Sequence, residues 1–125
     1  YEILRCLVGS EMCIRDRSLP VDGIVIVSTP QDLVKMIVNK AFNMAKMMNV
    51  PVLGLVENMS YYVCPHCNEK ISIFGESQID ETAKELGVPV LAKLPINPDA
   101  AKMIDAGRVE DIEAGELDEF VDTLK

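Results

Sequence analysis

Basic residues are scarce in this sequence, and those present are scattered rather than clustered. The 125 residues include 12 Lys or Arg against 20 Asp or Glu, which gives a formal net charge of −8. Nucleic acids and anionic membrane surfaces are bound through clustered positive charge, so this composition disfavours both as partners. We therefore expect no nucleic-acid partner and no membrane partner.

Long apolar runs are also missing. No stretch reaches the roughly 18–20 apolar residues that a membrane-spanning helix needs, although 49% of the residues are hydrophobic and can form a buried core. The chain does not begin with the charged and then apolar regions of a signal peptide. We expect a cytoplasmic protein, and in that reducing compartment the four cysteines are not expected to form a disulfide framework.

Short apolar runs alternate with amphipathic segments along the chain. The runs at 24–27, 52–56 and 88–94 are typical of strands buried in a parallel sheet. Four helices are predicted between and after these strands. Two of them start at a proline preceded by a capping residue: Pro30 after Thr29, and Pro98 after Asn97. The other two cover about 76–86, with Gly87 at the carboxy-terminal cap, and about 117–124. Strands that alternate with helices predict an α/β fold with a parallel sheet.

The first predicted helix has apolar residues at helical spacing, and this stripe is expected to face the core. The stripe contains Leu33, Met36, Ile37, Met44, Ala45 and Met48, and Ala41 and the stem of Lys40 lie on it too.

Residues 1–17 do not continue this pattern. They alternate poorly, contain Cys6 and Cys13, and carry a mixed charge cluster from Glu11 to Arg17. We predict that this segment is foreign to the fold, for example a translated assembly or adapter error, and that residues 18–125 form the domain. The source gene, read across the Arg17–Ser18 junction in independent clones, tests this.

A thiol pair, Cys64 and Cys67, lies in a polar segment predicted to be a loop from Glu57 to about Phe74. A Cys-x-x-Cys turn brings two sulfurs close enough to bind one metal centre, and backbone N–H groups after the first cysteine can lower its pKa. Asn68 stands where such turns often need a left-handed residue, a conformation that Asn tolerates. Thiolates suit zinc or iron–sulfur clusters.

Three kinds of site remain open for this pair. Zinc and the common clusters need four ligands, and His66 is not expected to be a third. Two copies related by a two-fold axis would supply four thiolates to a shared site. A zinc site within one chain would need a second pair, which only Cys6 and Cys13 offer. A redox dithiol is less favoured, because Gly75 and the residues before it do not predict a helix starting at the thiols.

The order of several short motifs resembles the Mrp-type (ApbC-like) iron–sulfur carriers within the MinD/ParA-like P-loop ATPases. The motifs lie at 28–31 (Ser-Thr-Pro-Gln), 57–60 (Glu-Asn-Met-Ser), 64–67 (Cys-Pro-His-Cys), 74–75 (Phe-Gly) and 94–98 (Leu-Pro-Ile-Asn-Pro). The resemblance covers residues 18–125 and implies the carboxy-terminal part of a doubly wound P-loop ATPase domain whose amino-terminal strands are missing.

The resemblance implies an iron–sulfur cluster, of the 4Fe–4S type, held by Cys64 and Cys67 at the interface of a homodimer. The cluster would be delivered to apo-proteins, and ATP with Mg²⁺ would be bound and hydrolysed by the full-length parent. Carried over by position, Asn58 would meet the adenine edge, and Pro95 and Ile96 would flank the base.

One departure from the family is clear. The Gly-rich phosphate loop with its Lys and the acidic strand end that holds Mg²⁺ are absent, and Gly9-Ser10 does not replace them. Without these groups nothing stabilises the charge of phosphoryl transfer. We therefore predict that this chain alone does not hydrolyse ATP. The alternatives to a cluster carrier are a MinD/ParA-like regulatory ATPase with a structural zinc knuckle and a non-enzymatic interaction module.

Overall fold

The computed structural model of the chain describes residues 22–113 and 115–124. The predicted foreign segment 1–17, with Cys6 and Cys13, lies outside these residues. In the described part, no helix is both long enough and apolar enough to cross a membrane.

In the described residues, four strands and four helices follow one another in an order consistent with an α/β fold. The strands are β1 (Ile24–Ser28), β2 (Val52–Val63), β3 (Lys70–Ile71) and β4 (Val90–Pro95). The helices are α1 (Asp32–Met47), α2 (Ile79–Leu86), α3 (Pro98–Asp105) and α4 (Asp118–Thr123), with short 3-10 turns at Val109–Asp111 and Gly115–Leu117.

β2 is the central strand of the sheet. It pairs in parallel with β1 on one side and with β4 on the other. β3 pairs antiparallel with the carboxyl-terminal end of β2, where Tyr62 lies opposite Ile71. The predicted parallel α/β sheet is therefore confirmed for β1, β2 and β4, while β3 makes the sheet as a whole mixed.

The core lies between the sheet and helices α1 and α2, which also contact each other. Its buried members are Ile26, Val38, Leu55, Ile79 and Ala83. Removing such apolar area from water is the main force that holds helices onto a sheet. Beside this core, β4 approaches β2 closely at Gly54, where an added Cβ would lie only 2.5 Å from Leu91 Cγ.

The predicted inward stripe of α1 was wrong in part. Ala45 is fully buried as expected, but Met36 and Ile37 are about half exposed, while Val38 is buried. α1 turns Val38, Ala41, Phe42 and Ala45 toward the body of the protein. This set has the same helical spacing as the predicted one and shares Ala41 and Ala45 with it, so the buried face is the predicted face turned partly around the helix axis.

Two helix starts also differ from the prediction. α1 begins at Asp32 with Gln31 at the cap position, and no side chain caps it. Pro30 is instead buried in the bend that follows β1. The second helix begins at Ile79 rather than near Glu76.

One predicted helix start and one predicted helix end are confirmed. Asn97 Oδ1 accepts hydrogen bonds from the backbone N–H groups of Asp99 and Ala100, both at 3.1 Å, and Pro98 follows it as the first residue of α3. Gly87 ends α2 with a left-handed φ of 70°, a conformation that costs glycine little.

Candidate functional site

The thiol pair lies at the tip of a hairpin formed by the far end of β2 and by β3. Val63, the last residue of β2, pairs with Lys70, and the turn between them contains Cys64 and Cys67. We call residues 61–71 the thiol hairpin. The prediction of a loop beginning at Glu57 was therefore wrong for residues 57–63, which continue β2 because β4 and then β3 supply partners for their backbone groups.

Hydrogen bonds within the turn hold its shape. The backbone N–H of Asn68 donates to the carbonyl oxygen of Cys64 at 2.9 Å, and the N–H of Cys64 donates to the carbonyl oxygen of Glu69 at 3.0 Å. Asn68 has a φ of 57°. The predicted left-handed conformation at this position is confirmed.

The environment of Cys64 favours its thiolate. The backbone N–H of Cys67 and then that of His66 lower the pKa of the Cys64 thiol, with a smaller contribution from the Cys67 side chain and a weak opposing effect of burial. Donors directed at a sulfur stabilise its negative charge, and the thiolate is the form that binds metals. Cys64 is half-buried and Cys67 is exposed, and both are free thiols.

The hairpin offers only part of a ligand set. Among residues 22–113 and 115–124, no group of three or more His, Cys, Asp or Glu side chains is arranged to hold a metal ion. Two thiolates match half of the four ligands that zinc and the common iron–sulfur clusters require. A centre on this hairpin would need its other ligands from outside the described residues or from a second molecule.

β2 is kinked just before the thiol hairpin. Met59 has a φ of 54°, which is rare for a residue with a large side chain. The pairing with β4 shifts register across this kink, between Glu57 and Tyr61. Asn58 is exposed, and its Oδ1 accepts the Met59 N–H at 2.9 Å, so in this structure the proposed adenine-binding side chain bonds to the backbone of the next residue.

Pro95, the last residue of β4, and Ile96 lie beside β2, next to this kink. Pro95 lies opposite Tyr61 in the pairing of β4 with β2, and the Ile96 N–H donates to the Tyr61 carbonyl oxygen at 2.7 Å. The structure thus places the two proposed base-flanking residues beside the start of the thiol hairpin.

A buried carboxylate at the end of the regular part of β2 escaped the sequence analysis. Glu57 is only 1% exposed. Its Oε1 accepts the Ser60 hydroxyl and its Oε2 accepts the Ser77 hydroxyl, each at 2.6 Å, which is at the short end of the range for hydroxyl hydrogen bonds. An acidic residue directly after the buried run 52–56, with serines nearby, was the available signal.

Glu57 also lines a small open pocket of about 30 Å³ beside the carboxyl end of β1 and the middle of β2. Residues 28–31 line one part of it, while Thr82 contributes from α2 and Gln78 from the position just before that helix. The Ser-Thr-Pro-Gln motif and the Glu57 carboxylate therefore meet at one place, although they are far apart in sequence.

Apolar side chains are exposed around the thiol pair. They form what we call the apolar collar: Val63, Ile71, Ile73 and Phe74, each between 38% and 55% exposed. Val63 pairs with Lys70 and Ile71 pairs with Tyr62, so Val63 and Ile71 project from opposite faces of the hairpin. The collar therefore surrounds the turn, and exposed apolar side chains at such a place can contribute to an interaction site. Next to the collar, the Lys70 ammonium lies 4.7 Å from the centre of the Tyr61 ring, within the range of a cation–π contact.

Comparison with known proteins gives consistent matches. Residues 10–124 match the family described as "ParA: NUBPL iron-transfer P-loop NTPase". The chain is 42% identical over 100 residues to the iron-sulfur cluster carrier protein of Methanocaldococcus jannaschii, covering 79% of this chain and 34% of that protein. It is 47% identical over 97 residues to the iron-sulfur cluster transfer protein NUBPL of Dictyostelium discoideum, covering 78% of this chain and 29% of that protein. The chain therefore spans about a third of the length of these relatives.

A solved structure also resembles the fold. It is a nucleotide-binding protein from Archaeoglobus fulgidus in complex with ADP, with a TM-score of 0.68 and 43% sequence identity. The match covers 76% of this chain and 39% of that chain. The predicted partial P-loop NTPase fold is thereby confirmed, while the domain boundary at residue 18 stays a prediction.

Proposed function

Because the chain belongs to the NUBPL iron-transfer P-loop NTPase family of iron–sulfur cluster carriers, we propose that it carries its cluster on Cys64 and Cys67. Two copies of the chain would each contribute these two thiolates to one 4Fe–4S cluster at a homodimer interface. The cluster would then pass to apo-proteins that need one.

The observation that carries this proposal is the state of the thiol pair. Cys64 and Cys67 are free, at least partly accessible and presented by an ordered turn. The backbone donors that lower the Cys64 pKa prepare that sulfur to bind iron. The pair forms no complete ligand set within the described residues, as a site shared between two copies would require.

The apolar collar supports the shared site. A second copy bound over the thiol hairpin would cover these side chains and remove their apolar area from water, which favours association. The same contact would shield a cluster from solvent.

Nucleotide binding forms the second part of the proposal. The relative from Archaeoglobus fulgidus was solved with ADP, and here Asn58, Pro95 and Ile96 would contact the base. The sequence contains no Gly-rich phosphate loop with its Lys, so we propose that ATP turnover coupled to transfer needs the full-length parent and that this chain alone has none.

Anaerobic reconstitution with iron and sulfide tests the carrier function. The wild-type chain should gain a broad thiolate-to-iron absorption between the visible and the ultraviolet and should sediment as a dimer. Cys64→Ala and Cys67→Ala should lose both properties. Cys13→Ala, the same substitution outside the thiol hairpin, should keep them, and a colourless wild-type monomer would refute the proposal.

A structural zinc site is the second candidate. A Cys-x-x-Cys turn between two antiparallel strands, with a left-handed Asn68 behind it, is also the shape of one half of a zinc knuckle. In the same experiment, a colourless protein that retains zinc at both thiols would favour this candidate.

A further inference from the structure

We propose that Glu57 is a positioning residue whose buried carboxylate fixes both ends of the segment that carries the thiol pair. The purpose of this positioning rests on the proposed cluster site, whereas the contacts of Glu57 are observed whether or not a cluster binds. Residues 65–76 are all exposed, so packing against the body of the protein does little to hold this segment. Its orientation must be set where it leaves the body and where it returns.

The first end is the kink in β2. Met59 adopts its left-handed conformation between Glu57 and Ser60. The Glu57 side chain spans this kink, because its Oε1 accepts the hydroxyl of Ser60, which is itself buried. A bend that is unfavourable for a large residue persists only where neighbouring contacts hold it, and this hydrogen bond is such a contact.

The second end is the return of the chain into α2. Glu57 Oε2 accepts the hydroxyl of Ser77, and the same Ser77 oxygen accepts the backbone N–H of Ile79 at 3.3 Å. Ile79 begins α2 and belongs to the core. One carboxylate therefore connects the kinked strand to the first residue of a packed helix.

Glu57 is well suited to this task because it is buried and fully engaged. A buried carboxylate is unfavourable unless its oxygens accept hydrogen bonds, and here each oxygen has a short one. Loss of the Ser60 or the Ser77 hydroxyl would leave one carboxylate oxygen without its partner. Because one carboxylate bonds to both serines, it stabilises both ends of the segment.

Positioning of this kind matters for a site shared by two molecules. Four sulfurs from two hairpins must meet around one cluster, so a hairpin free to swing would separate them. Outer contacts that orient ligands commonly change metal affinity by about 10–100-fold when they are removed. The turn at Cys64 is held by its own hydrogen bonds and should survive such a change.

Glu57→Gln and Ser77→Ala test the inference, with Ser72→Ala as the matched control on the exposed part of the same segment. After anaerobic reconstitution of the 125-residue chain, an iron chelator should remove the cluster about tenfold faster from both variants than from wild type or Ser72→Ala. The equilibrium between the Cys64–Cys67 disulfide and glutathione should stay unchanged, because it reports only on the turn.

Hydrogen exchange gives a readout that needs no cluster. In the metal-free chain, Glu57→Gln should speed exchange at the backbone amides of Ile79 and Ile96, near the two ends of the segment. Ser77→Ala should speed exchange at Ile96, whose N–H bonds to Tyr61 and not to Ser77. Amides in the middle of α1 should be unchanged in both variants. If wild type takes up no cluster but these amides respond, the carrier function is wrong and the positioning role of Glu57 stands. Unchanged amides, or equal loss of protection throughout the chain, would overturn the positioning role.

Discussion

Asn68 donates its backbone N–H to the carbonyl oxygen of Cys64 at 2.9 Å while its own φ is 57°. The turn that brings the two thiols together therefore depends on a residue that accepts the left-handed conformation. Asn does so at little cost, whereas most residues with a Cβ do not.

Replacement of Asn68 should show this dependence directly. We expect Asn68→Ala to destabilise the turn by about 1 kcal/mol, because the left-handed region is unfavourable for alanine. Asn68→Gly should be close to neutral, since glycine adopts this conformation readily. The opening free energy, measured by hydrogen exchange at the Cys64 amide, checks both, and an equal effect of the two substitutions would contradict the argument.

The lowered pKa of Cys64 predicts a pH dependence with a definite sign. At a pH just below the usual range for thiols, the folded chain should contain more Cys64 thiolate than the unfolded chain. Iodoacetamide should therefore modify Cys64 faster in the native protein than in urea, and the ratio of the two rates should fall toward one as the pH rises above the unfolded pKa, where both states are fully ionised. Mass spectrometry of the modified peptide measures this.

The same shift links Cys64 to folding. Because the pKa is lower in the folded state, the thiolate contributes stability that is complete above the unfolded pKa and is lost as the pH falls through the folded pKa. Cys64→Ser, which does not ionise in this range, should remove that part of the pH dependence. A profile identical to that of wild type would count against the backbone donors as the cause.

Much of the fold was predictable because its signals are local. The cap at Asn97, the glycine behind α2 and the left-handed Asn68 each follow from the chemistry of one or two adjacent residues. The order of strands and helices follows from short apolar runs and periodicity.

What was missed depends on contacts distant in sequence. The extension of β2 through Glu57 is stabilised by Ser77, twenty residues away, and by pairing with β3 and β4. Without these partners a charged residue after an apolar run indicates a loop. Likewise, periodicity alone could not choose between the two stripes of α1, because Val38 and Met36 belong to sets with the same spacing.

The absence of a side chain at Gly54 should be needed for stability, because β4 approaches β2 closely there. An added Cβ would lie 2.5 Å from Leu91 Cγ, so Gly54→Ala should destabilise the chain by about 1–3 kcal/mol, as overpacking of a core does. Gly115→Ala is the matched control, because its added Cβ would meet nothing closer than an Asp118 oxygen at 3.7 Å. Urea denaturation followed by circular dichroism compares the two, and similar midpoints would show that the sheet can yield at this position.

The apolar collar should contribute to association through the thiol hairpin. Ile73 and Phe74 are 55% and 40% exposed, so Ile73→Ser and Phe74→Ser should change the stability of the monomer by less than about 0.5 kcal/mol. If a second copy covers them, each substitution should weaken the cluster-bound dimer by about tenfold, through loss of buried apolar area.

Val109→Ser provides the control for the collar, because Val109 is 59% exposed and belongs to a 3-10 turn outside the hairpin. Sedimentation velocity of the reconstituted proteins under anaerobic conditions measures the dimer in each case. A dimer weakened equally by all three substitutions would point to a general effect of lost hydrophobicity. A dimer weakened only by the two collar variants would place the second copy over the thiols, where its own Cys64 and Cys67 could complete the ligand set.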